Sequence, residues 1–145
     1  MKPSIARAIA LACLALSLDA AAQKAPGPTE INGQRVLTFV GRDPPGQRCN
    51  NNIQVAAEVA NVYRVPIQVV PAGVAGPAVP APAVYYGGQV IAADGGLHNG
   101  VVSYQIVADA LELEGTPKHA KSGRLFEQSV RGDFDQLKRA IRGAK

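Results

Sequence analysis

The sequence predicts a single α/β domain, and three observations predict it. Short β-branched runs alternate with segments of helical periodicity, a Gly-Gly pair separates two short strands late in the chain, and no long apolar stretch follows the first 22 residues. The chain has 145 residues, and losing the first 22 leaves 123, enough for one domain with a modest core. Collagen-like and disulfide-rich scaffolds are excluded, because the glycines lack a period and cysteine is scarce.

The N-terminal segment, 1–22, reads as a secretory signal peptide, which implies export to an oxidising compartment such as the periplasm. Lys2 and Arg7 supply a positive start, 8–18 is apolar apart from Ser17, and Ala20-Ala21-Ala22 offers small residues for cleavage. The apolar run falls short of the roughly 20 residues that a membrane span needs. Cys13 leaves with this segment. A lipid anchor on Cys13 fits poorly, because the apolar run continues past it. Cys49 is then the only thiol, so neither an internal disulfide nor a Cys-only metal site is available. In an oxidising compartment it is buried and inert, paired with another molecule, or reactive.

Residues 23–34 are polar and carry Pro26 and Pro28, which predicts a flexible leader. The run 35–41 is a buried strand, and Asp43-Pro44-Pro45-Gly46 is a turn. A helix follows, with Ile53, Ala56, Ala57, Ala60 and Tyr63 on one apolar stripe and Asn50, Asn51 and Asn52 as its caps. Cys49 extends that stripe. Residues 65–70 form a second strand with Pro66 at its start, and 71–80 is an irregular Pro/Gly/Ala loop. Strands at 83–86 and 89–92 flank Gly87-Gly88 as a hairpin. The helix at 101–113 turns Val101, Tyr104, Val107, Ala108 and Leu111 inward and ends at Gly115-Thr116-Pro117. A last helix, about 123–142, carries Phe126, Val130, Phe134, Leu137 and Ile141 on its apolar face, with Gly132 in its middle.

Charge is unevenly placed. The formal net charge is +4, and residues 23–114 hold 5 basic and 7 acidic side chains against 8 basic and 3 acidic in 115–145. The basic tail helix is either a solvated face or a docking element for an acidic partner or an anionic membrane surface. Nucleic acid is not expected for an exported chain with few aromatics and no binding motif.

The order strand, Cys-bearing turn, helix, strand, Pro-rich loop, hairpin, helix resembles the thioredoxin superfamily, most closely its glutaredoxin-like branch. Residues 35–63 look like the first strand, active-site turn and long helix. Ala81-Pro82-Ala83-Val84-Tyr85-Tyr86-Gly87-Gly88-Gln89-Val90-Ile91 looks like the cis-proline strand and the following hairpin. The resemblance implies a thioredoxin-like open sheet over 35–114, with 115–145 as an added basic helix. It also implies a thiol at a helix N-terminus facing a cis-proline, either Pro82 or, as a fallback, Pro80. Helix N-terminal amides stabilise an anion such as a thiolate, and Arg48 or Arg42 would add to that.

The usual Cys-x-x-Cys is absent, and two registers are open. In Cys49-Asn50-Asn51-Asn52 the exposed nucleophile survives without its partner. In Gly46-Gln47-Arg48-Cys49 only the second, more buried position survives. An exposed Cys49 implies monothiol exchange. Cys49 would be the nucleophile, Arg48 the thiolate stabiliser, and Ala81 and Pro82 would shape the groove for protein or peptide thiols and disulfides. Release would then need an external small thiol such as glutathione as co-substrate, with no resident cofactor or metal. A buried Cys49 implies a redox-inert binding module in an envelope assembly. A third class is a secreted structural protein whose Cys49 pairs with a partner. His98 and His119 read as surface residues. A triad with Asp94 lacks a nucleophile motif, and Asp133 and Asp135 read as solvated charges. One of Tyr85 and Tyr86 is expected in the core, and the other in the core, at an edge or along a groove.

Overall fold

A computed structural model describes residues 24–143, so the expected signal peptide and Cys13 lie outside the described residues. The main sheet is built from β3 (Leu37–Gly41), β4 (Ile67–Pro71), β5 (Ala83–Tyr86) and β6 (Gln89–Ala93), in the order β4-β3-β5-β6. β3 runs parallel to β4 and antiparallel to β5, and β5 pairs antiparallel with β6. The parallel step needs a crossover, which α1 (Gln47–Ala60) supplies. β1 (Glu30–Ile31) and β2 (Gln34–Arg35) form a small separate ribbon. The described residues thus form a mixed α/β fold with four α-helices, the others being α2 (Ala72–Ala75), α3 (Tyr104–Leu113) and α4 (Gln128–Arg142).

β3 is buried at every position because both of its faces are covered, which explains why Thr38 is its one polar side chain. On one face Leu37, Phe39, Val84 and Tyr86 pack against Val55 and Val59 of α1 and Val107 and Leu111 of α3. On the other, Val40, Ala83, Tyr85 and Ala93 lie beneath Ala25 and the half-buried Ala75, Val79 and Ala81. Tyr85 and Tyr86 are therefore both buried, one on each face, as strand alternation requires. Ser103 caps α3 by accepting from the Ile106 N–H, so the helix starts after Val101, and Val102 is buried in its place.

The leader is held against the sheet rather than hanging free. The Gln68 amide donates to the Pro26 and Pro28 carbonyls and to Thr38 Oγ1, at 3.1, 3.2 and 2.7 Å. The Pro-rich segment 71–80, expected to be an irregular loop throughout, contains one helical turn, α2.

The α1 stripe also differs from expectation. Val55 and Val59 face the sheet, whereas Ile53 is 37 % exposed. Asn51, Asn52, Gln54 and Glu58 are buried because α1 is covered on a second flank by α4 and the 100–102 loop. Lys138 donates to Glu58 at 2.8 Å, Arg131 approaches the same oxygen at 3.5 Å, and Arg142 Nε bonds Asn51 Oδ1 at 3.2 Å. Of the expected apolar face of α4, only Phe134 is fully buried; Leu137 remains 52 % exposed.

Candidate functional site

The site lies where β3 ends, α1 begins and β5 starts, at the carboxyl ends of the parallel pair, where open α/β sheets commonly carry their sites. A depression of about 260 Å³ is lined there by Arg42, Gly46, Gln47, Arg48, Cys49 and Pro82. A second, of about 250 Å³, is lined by Gln47, Arg48, Asn51, Val101 and Arg142. Gln47 and Arg48 form a wall common to both.

Helix α1 begins at Gln47, with Gly46 in extended conformation as its N-cap and no side-chain capping bond. The Asn triplet therefore lies inside the helix, and Cys49 is the third helical residue. Its side chain turns inward, leaving it 2 % exposed, and the Arg42 N–H donates to Sγ at 3.1 Å. Gly46 is exposed and brings no side chain to the start of α1.

Asn51 and Asn52 do a different job from capping. Asn52 Nδ2 donates to the Gly100 carbonyl at 2.7 Å, and its Oδ1 accepts from the Val102 N–H at 3.0 Å. Asn51 Nδ2 donates to the Val102 carbonyl at 2.9 Å. Both amides thus tie the 100–102 loop to α1. Gly100 has φ +73°, and a Cβ there would run into the Pro82 carbonyl oxygen, so the loop braces the start of β5 only because residue 100 is glycine. The Ala81–Pro82 bond is cis, and the Asp94 N–H donates to the Pro82 carbonyl at 2.9 Å.

Asp94 organises the cations. Arg48 donates to its Oδ1 at 2.6 Å and Arg42 to its Oδ2 at 3.0 Å. Those bonds, Arg48 first and Arg42 second, hold the Asp94 carboxyl below its ordinary value. Arg48 also donates to the Asn99 carbonyl at 2.9 Å, and Arg42 Nε donates to the Ala81 carbonyl at 3.1 Å. The Arg48 guanidinium expected beside the sulfur is thus engaged with Asp94 and Asn99. Of the residues singled out in the sequence, Cys49, Arg48 and Pro82 line one depression, and Ala81 borders it through Arg42. Asp94 and Asn52 were not assigned these roles from sequence, because their partners lie about 50 residues away in the chain.

His98 and His119 are both exposed, and His119 Nε2 sits 3.2 Å from the Ala60 carbonyl. Asp133 is exposed, and Asp135 pairs with Arg131 at 3.3 Å. Among the described residues no three His, Cys, Asp or Glu side chains are grouped to hold a metal ion, and no helix is long and apolar enough to cross a membrane. Comparisons of the chain with protein-family models, with curated proteins and with solved structures find no match.

Proposed function

We propose that the chain is an exported thioredoxin-like domain that binds a protein or peptide segment at the depression between the 42–49 turn and Pro82, with Cys49 as a packing residue. The strand order β4-β3-β5-β6, with one parallel and two antiparallel steps, supports the thioredoxin-like part of this reading. So do α1 and α3 on a common face and Pro82 opposite the start of α1. Export is supported by the sequence pattern of residues 1–22.

One observation carries the choice of binding over chemistry. The Cys49 sulfur is enclosed at the third helical residue and already accepts the Arg42 N–H, while Gly46 holds the exposed position. Disulfide attack needs an accessible thiolate in line with the S–S bond. An enclosed sulfur meets neither need.

A second reading is favoured by Cys49 bordering the same depression as Pro82. Here the Cys49 thiolate attacks one sulfur of a partner disulfide and the other leaves as a thiolate. An external thiolate then attacks the mixed disulfide, forms its own disulfide with the partner and returns Cys49. Iodoacetamide labelling of Cys49, native against urea-unfolded, separates the two readings. Protection of the native thiol by about a hundredfold or more, as expected for a site that labels only on opening, supports the binding module. Native labelling as fast as unfolded labelling restores thiol exchange.

A further inference from the structure

We infer that the partner segment is acidic, and that Arg42, Arg48 and Arg142 select it by charge; this rests on the binding reading above. Three arginines line the two adjoining depressions, and no carboxylate lines either one. Asp94 pairs with both Arg42 and Arg48 and neutralises one of the three charges, leaving the surface at net +2. Among the described residues Arg142 pairs with no carboxylate; its one bond is to the neutral Asn51 side chain. The third cation is brought by α4, whose last turn docks beside the first turn of α1, so the added helix completes the charged surface.

The shape and chemistry of the walls favour a peptide over other anions. The two depressions are concave and of side-chain size, whereas a membrane surface needs a flat face with exposed apolar groups. No aromatic side chain lines them, so they offer no stacking platform for bases. Extended acidic chains supply carboxylates at intervals, which suit forked guanidinium donors. Arg42 adds a further effect. Its Nε occupies the Ala81 carbonyl, so a peptide carboxylate that draws Arg42 away also frees a backbone acceptor beside Pro82.

The test is fluorescence anisotropy on the purified chain with three labelled peptides, alternating Glu/Ser, Gln/Ser and Lys/Ser, and with an oligo-dT strand. The Glu/Ser peptide is expected to bind at least about tenfold tighter than Gln/Ser at low salt, with the gap closing as NaCl rises. Gln47→Glu places an opposing charge on the common wall, where a first-turn acid favours the helix, so it is expected to fold normally and to weaken Glu/Ser binding about tenfold. Arg142→Glu is expected to do the same. Equal binding of all three peptides overturns charge selection and leaves the binding reading standing. Binding of no peptide overturns both. Tighter binding of oligo-dT, or Glu/Ser binding indifferent to both variants, overturns the acidic-peptide assignment at this surface.

Discussion

Gly100 lies so close to Pro82 that its Cα leaves no room for a methyl group beneath the Pro82 carbonyl. Gly100→Ala therefore meets both a clash and an unfavourable φ of +73°, and is expected to cost roughly 2–3 kcal/mol of stability. Gly33 is the control. Its φ is +76° with nothing within 4 Å of an added Cβ, so Gly33→Ala should cost about 1 kcal/mol from backbone strain alone. Urea denaturation of both variants checks the difference; equal losses would mean that the contact with Pro82 carries no cost.

Asn52→Ala removes the donor to the Gly100 carbonyl and the acceptor for the Val102 N–H, both buried bonds. Two backbone groups then lose their partners, and the expected loss is roughly 2–4 kcal/mol. Hydrogen exchange locates the damage. The Val102 amide should lose protection far more than the Phe39 amide in the central strand.

Lys138→Met leaves the buried Glu58 with only the longer Arg131 contact, and is expected to destabilise the protein by about 2–3 kcal/mol. Glu58→Gln made together with Lys138→Met should recover most of that loss, because the uncompensated charge is gone. A double-mutant cycle in urea measures this, and additive losses would show that the ion pair does not couple α4 to α1.

The Asp94 carboxyl, held below its ordinary value by Arg48 and Arg42, makes acid stability predictable in sign. Its contribution is fully present above the unfolded carboxylate value of about 4, and is lost as pH falls through the lower folded value. Asp94→Asn should therefore lower Tm at neutral pH, and the gap to the parent should shrink below about pH 4. A gap that stays constant down to pH 2 would mean that Asp94 acts through packing alone.

Tyr85 is wholly buried, and its hydroxyl has no hydrogen-bond partner among the described residues; burial pushes its phenol above the ordinary value. Tyr85→Phe is expected to be neutral or to stabilise by about 1 kcal/mol, read from the urea midpoint. A loss above that size would reveal a partner for the hydroxyl.

The parts of the fold that rest on local chemistry are legible in the sequence. Gly87 and Gly88 both have positive φ, so the Gly-Gly pair marks the hairpin directly, and the charge-free β3 run reports burial on both faces. The register of Cys49 was not legible, because Asn50–Asn52 looks like a cap while the true cap, Gly46, offers no side-chain signal. Asn52 and Glu58 look solvent-facing by composition. They are buried because Gly100, Val102 and Lys138, far along the chain, reach back to them. The pairing of Asp94 with two arginines is likewise set by tertiary geometry that no spacing encodes.

The contacts of α4 with α1 also bear on how the protein opens. Lys138 meets Glu58 across 80 residues of chain and Arg142 meets Asn51 across 91, so this docking closes the longest loops among the side-chain contacts described above. Closing loops of that length costs only about 0.5 kcal/mol more than closing those to Gly100 and Val102, but α4 buries Phe134 alone, so its amides are expected to lose hydrogen-exchange protection before those of β3. The third cation of the surface around Arg48 depends on α4 being docked, so opening of α4 is expected to weaken the acidic-peptide binding proposed above.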